Sequence, residues 1–183
     1  MIEKIKSVYG GFRLKQETAG LIRDRKNPDF IRARKIGVLY DATERDNFFM
    51  VREFAKDLRD CGKQPYTLGY IDFTEVTFHS LARPEADYFF KNQLNWYKKP
   101  SGAVIDNFIK EPFDLLINLT LRDIYPLDHI AANSKAGLKI GREESAIAWC
   151  YDMRFSLQPE ADEKAFAYLI IHYLNQINNV HTS

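Results

Sequence analysis

Ile36-Gly37-Val38-Leu39-Tyr40 is a short apolar run that leads at once into the polar stretch Asp41-Ala42-Thr43-Glu44-Arg45-Asp46-Asn47. A run that is apolar at consecutive positions, rather than at alternate ones, predicts a strand buried on both faces, as in a parallel sheet covered by helices on each side. A helix follows. Phe48, Val51, Ala55 and Leu58 line one face of it, Thr43 or Asp46 stands where a cap is needed, and Gly62 stands where a helix C-terminus takes a left-handed residue. Gln64 to Asp72 then returns to an extended pattern. Strand, helix and strand in that order imply a parallel pair joined by a right-handed crossover.

Phe113-Asp114-Leu115-Leu116-Ile117-Asn118-Leu119 repeats the signal, followed by a helix through Ile130 and Ala131 and a strand from Gly137 to Ile140, ended by Gly141. A helix over Ser101 to Lys110, stopped before Pro112, precedes this second unit, and Ala146 to Met153 reads as a last strand. Pro159 suits the first turn of a closing helix in which Phe166, Leu169, Ile170, Tyr173, Leu174 and Ile177 form a core-facing stripe. Phe73 to Lys99 is rich in aromatics, among them Phe78, Tyr88, Phe89, Phe90, Trp96 and Tyr97, but sustains neither the helical nor the strand period. The pattern predicts a single α/β domain: an open, mostly parallel sheet of Rossmann-like or flavodoxin-like type with helices on both faces. Residues 36–183 form this domain, and residues 1–35 form a basic N-terminal arm of one or two short helices, interrupted at Gly10-Gly11.

The composition of the 183 residues, 45% hydrophobic and 28% charged, is that of an ordinary globular domain and excludes a fibre or a disordered chain. The first residues carry no apolar signal core, and the longest apolar run, Phe166 to Leu174, contains His172 and is too short to span a bilayer, so a cytoplasmic protein without membrane contact is expected. Cys61 and Cys150 have no partner pattern and read as reduced thiols. The net charge of +1 conceals an asymmetry. The arm holds ten Lys and Arg against four acids, which leaves the remainder acidic.

Ligands of open parallel sheets bind beyond the carboxyl ends of the strands, where loops converge and helix N-termini present unpaired N–H groups. The polar residues that follow the predicted strands are therefore the ligand-binding candidates: Asp41, Thr43 and Arg45 after the first, Asn118, Thr120 and Arg122 after the second buried run, and Arg142 after Gly141. The arginines would clamp a small anion, since a guanidinium fork matches carboxylate and phosphate oxygens. The competing reading has Thr43, Asp46 and Asp123 capping helices while the arginines pair with neighbouring acids. Glycine-rich phosphate loops are absent from Asp41 to Asn47, His79, His129, His172 and His181 show no metal-ligand spacing, and Ser134 and Ser145 have no adjacent base, so neither a cofactor, a metal nor a catalytic residue is assigned. His129 and His79 lie nearest the expected pocket rim.

Three functions remain in play. The first is a binding domain for a small anion or a protein partner. The second is RNA or ribosome association, in which Lys4, Lys6, Arg13, Lys15, Arg23, Arg25, Lys26, Arg32, Arg34 and Lys35 track phosphates and the aromatic segment adds stacking surfaces. The third is a transferase acting on a phosphorylated or nucleotide-linked substrate. The pattern favours binding over catalysis and leaves the oligomeric state open.

Residues 113–142, FDLLINLTLRDIYPLDHIAANSKAGLKIGR, together with Leu94 to Pro100 and Tyr168 to Asn178, resemble a family of small bacterial α/β proteins known as a domain of unknown function. That resemblance implies the fold and no activity. Asp114, Leu115, Ile117, Asn118 and Leu119, with Leu138, Lys139, Ile140 and Gly141, are also similar to the amino-terminal half of heptosyltransferase-type glycosyltransferases. Those enzymes hold a nucleotide sugar with a second domain, for which this chain has no room.

Overall fold

The structure, a computed structural model, describes residues 2–26, 29–73 and 86–180. Eleven principal elements alternate along them: α1 (Ile2–Thr18), β1 (Lys35–Asp41), α2 (Arg45–Asp60), β2 (Gln64–Ile71), β3 (Ala86–Phe90), α3 (Ala103–Lys110), β4 (Leu115–Asn118), α4 (Tyr125–Asn133), β5 (Leu138–Arg142), β6 (Met153–Phe155) and α5 (Glu163–Val180). The six strands form one sheet in the order β3-β2-β1-β4-β5-β6, and every neighbouring pair is parallel. This order is that of the Rossmann type, not the 2-1-3-4-5 order of flavodoxin. β1 lies between β2 and β4, with Ile36 beside Leu115 and Leu39 beside Asn118.

Consecutive residues of the buried strands serve opposite faces, which explains their unbroken apolarity. Leu39, Leu68, Phe89 and Leu116 pack beneath α1, α3 and α4 through Leu14, Ile105, Phe108, Leu127 and Ile130. Ile36, Val38, Tyr40, Leu115, Ile117 and Ile140 pack beneath α2 and α5 through Val51, Phe54, Leu58, Phe166, Ile170 and Leu174. Full burial of one such side chain contributes about 1.5–3 kcal/mol, so both layers are needed to hold the sheet.

The N-terminal arm is a single helix, not two. Gly10 does not break α1; it lets the helix approach α4, because a Cβ there would sit 2.8 Å from the Tyr125 ring, whose hydroxyl donates to the Gly10 carbonyl oxygen at 3.0 Å. Gly10→Ala, which helix propensity alone would favour by about 1 kcal/mol, is therefore expected to destabilise α1 against the body by about 1–2 kcal/mol. Faster amide exchange across residues 8–18 would show it, and slower exchange would mean that the contact does not govern the helix.

Other elements depart from the pattern for local reasons. Neither Thr43 nor Asp46 caps α2: the Thr43 hydroxyl accepts the Asp72 amide, and Glu44 occupies the cap position without a side-chain bond. The expected strand at 146–153 is a 3-10 turn, Ala148–Cys150, whose apolar neighbours Ile147 and Tyr151 are spent on the core, and the pairing begins only at Met153. α5 starts at Glu163 because the Asp162 carboxylate takes the Ala165 amide at 2.7 Å, which leaves Pro159 in the preceding turn. Phe78, His79, Pro28 and His181 lie outside the described residues.

Candidate ligand-binding site at the carboxyl ends of the sheet

In the observed strand order the chain reverses its direction of winding between β1 and β4, and the crevice beyond those two carboxyl ends is the natural ligand position. Asp41 closes β1 there. Buried at 7% exposure, it accepts the Thr43 amide at 3.0 Å on one oxygen and the Arg122 guanidinium at 2.6 Å on the other. The Arg122 side chain crosses the mouth of the crevice with 71% of its surface exposed. Arg45 stands at the start of α2 with its guanidinium 5.3 Å from the Phe49 ring.

Asn118 and Thr120 are brought to the same place but face inward. Asn118 donates to the Tyr151 hydroxyl at 2.7 Å and accepts the Thr120 hydroxyl at 3.0 Å, and both residues are buried. They seal the top of the core. Arg142, the last residue of β5, pairs with Asp123 at 2.9 Å, and the same Asp123 oxygen accepts the Ala146 amide, so Asp123 ties the loop after β4 to the end of β5 and the loop beyond it and caps no helix. Two of the three arginines are thus paired with acids across loops, and Asp41 engages only one nitrogen of Arg122.

His129 does not stand at a pocket rim. It is buried on α4, its Nε2 lies 3.1 Å from the Glu17 carboxylate, and burial holds its pKa below the ordinary histidine value although Glu17 acts in the opposite sense. His172 is exposed on α5 beside Gln176. Among the described residues no group of three or more His, Cys, Asp or Glu is placed to hold a metal ion, and no helix is long and apolar enough to cross a membrane.

The basic residues of the arm are dispersed. Arg23 is buried, with both terminal nitrogens on Asp152 at 2.6 Å and a further bond to the Ala136 carbonyl. Arg25 shares Asp152, Lys26 holds Asp114, Lys35 holds Glu111, Arg32 pairs with Asp29 and Arg13 faces Glu17. Lys4, Lys6 and Lys15 lie along α1, and Arg34 is exposed before β1. Much of the arm's charge holds the arm to the acidic body.

Three polar residues outside the ligand candidates are held inside the fold: Asp128 in the first turn of α4, Lys139 in β5 and Asp152 just before β6. Asp128 is 4% exposed, and its Oδ1 meets no hydrogen-bond partner. Burial, reinforced by Asp123 and only partly offset by Arg142, pushes its carboxyl up to about 8. Lys139, buried in β5, donates to the Ala132 carbonyl at 2.9 Å, and burial lowers its ammonium to about 8. The one available signal was an acid set inside the apolar run Pro126 to Ala132, all of which is buried.

An open parallel sheet wound in this order, with polar side chains gathered at its switch point, defines a Rossmann-like α/β domain. The chain belongs to the DUF6913 family, a family of unknown function whose model matches residues 6–177 and so takes in most of α1 as well as the sheet. No curated protein and no solved structure matches the chain.

Proposed function

We propose that the domain binds a small anion over the carboxyl ends of β1 and β4, with Arg122 as the principal contact. The observation that carries this reading is the exposed guanidinium of Arg122, anchored through a single nitrogen to buried Asp41 at the switch point of the sheet. A guanidinium held on one side keeps further N–H donors for a ligand oxygen. The surrounding charge limits the ligand. Asp41, Glu44 and Asp46 stand about the N-terminus of α2, where a pyrophosphate would need unopposed amides, so a singly charged carboxylate fits better than a nucleotide.

The test is titration with sodium propionate and with inorganic phosphate, followed by amide NMR shifts. Propionate is expected to move residues 41–45 and 119–123 saturably and at lower concentration than phosphate, and Arg122→Ala is expected to abolish the response. Because the Arg122 side chain is largely exposed and Asp41 keeps its bond from the Thr43 amide, the loss should be about 1 kcal/mol, and the melting temperature should fall by no more than about 4 °C. Shifts that persist in the variant, or a melting temperature that collapses, would remove Arg122 from this role.

A further inference from the structure

A cleft of about 440 Å³ opens between α1, the first turn of α4 and the loop that follows β5. Its walls are apolar and aromatic: Val8 and Phe12 from α1, Tyr125 from α4, Ile147 and Trp149 from the loop. Val8, Phe12 and Trp149 are 74%, 60% and 44% exposed, an unusual gathering of large apolar surface on one concave spot. Asp128 lines the same cleft, more than nine-tenths buried, with Oδ1 unpartnered. An unpaired buried carboxyl is costly: Asp123 repels it, and Arg142, which attracts it, gives its Nη2 to Asp123 and leaves its own buried Nε without a partner rather than bonding Oδ1.

We propose that this cleft is a binding site for a small organic amine carried on an apolar body, with the ammonium on Asp128 and the body against Phe12, Tyr125 and Trp149. An ammonium supplies the donors that Oδ1 lacks and restores its charged form, while aromatic faces attract a cation and cover its hydrocarbon. A neutral alcohol of the same shape offers only a weak bond. The cleft meets the Arg122 crevice only through Asp123 and goes beyond the anion reading; Arg122 does not line the cleft and Asp128 is not a contact of the anion, so either can fail without the other.

Binding of an amine requires Asp128 to be ionised, so affinity should rise with pH while the amine stays protonated. The titratable and charged groups around Asp128 are Asp123, Arg142, Cys150, Tyr125 and Tyr151, with Lys15 on the rim of the cleft. Burial raises the Asp128 carboxyl to about 8, so its ionised fraction grows between pH 5.5 and 8.

The experiment compares 2-phenylethylamine with 2-phenylethanol on the full chain, reading the Trp149 indole NMR signal. The amine is expected to shift it saturably and to bind at least about 10-fold more tightly than the alcohol, with affinity rising between pH 5.5 and 8. Asp128→Asn should erase the preference for the amine. Phe12→Ala, an exposed helix position that leaves the core intact, should weaken the amine about 3- to 10-fold. Equal binding of the two probes, an unchanged preference in Asp128→Asn, or no saturable shift by the amine would each overturn the proposal.

Discussion

Asp152→Ala is expected to cost about 3–5 kcal/mol of folding stability, because it strands a buried guanidinium. Asp152 receives both terminal nitrogens of Arg23 at 2.6 Å, the Lys139 amide at 2.8 Å and the Arg25 side chain at 3.6 Å. Its removal leaves the Arg23 guanidinium, with only 7% of its side chain exposed, facing the Ala136 carbonyl alone. A buried cation without its counter-charge keeps the full desolvation cost and loses the attraction that offset it. The double variant Arg23→Met, Asp152→Leu removes both charges and should recover much of the loss. Burial raises the Asp152 carboxyl, but the bond from Arg23 outweighs it and the pKa lies below the ordinary value. The stability from this pair is accordingly present above the unfolded carboxyl value and is lost as pH falls through the folded one. Urea denaturation of the single and double variants measures the coupling, and a loss under about 1 kcal/mol for Asp152→Ala would mean that the Arg23–Asp152 pair does not hold the arm.

Asp128→Asn should do the reverse and raise stability at pH 7, by about 2–4 kcal/mol. The carboxyl titrates near 8 in the folded chain against 3.8 when free, so between those values the folded state keeps a proton that the unfolded state has released. Each pH unit in that window takes roughly 1 kcal/mol from the wild type, and none of it is felt below pH 4, where both states are protonated. Asn has the shape of the protonated acid and no proton to lose. The two proteins should therefore converge near pH 4 and separate toward pH 8, in thermal melts or in urea. A difference that stays constant across this range would show that Asp128 is ionised, or solvated, in the folded chain. A stabilised variant that no longer prefers the amine would also exemplify a site that trades stability for binding.

How much of this was legible in the chain divides along physical lines. The runs 36–40 and 113–119 are apolar on both faces because both faces are covered, and that property is local: it announces a parallel sheet whatever the surroundings. The stripe on α2 and the left-handed Gly62 (φ +75°) are equally local, and they read true; on α5 Phe166, Ile170 and Leu174 are buried as expected, whereas Leu169 and Tyr173 are exposed.

What the sequence alone determined, then, is the class of the fold and the end of the sheet that carries the polar loops, since both follow from periodicity and chain direction. Tertiary structure decided the rest: that β1 and β4 are adjacent and set the switch point, that Gly10 is an approach and not a break, that Arg23 is buried on a carboxylate 129 positions away, and that Asp128 lies unpaired beneath an aromatic cleft. Charge and polarity in a sequence state what a side chain can do. Burial, and the partner brought to it from a distant part of the chain, fix which of those things it does, because an ion pair or an orphaned carboxyl is a property of two places at once and no local pattern records it.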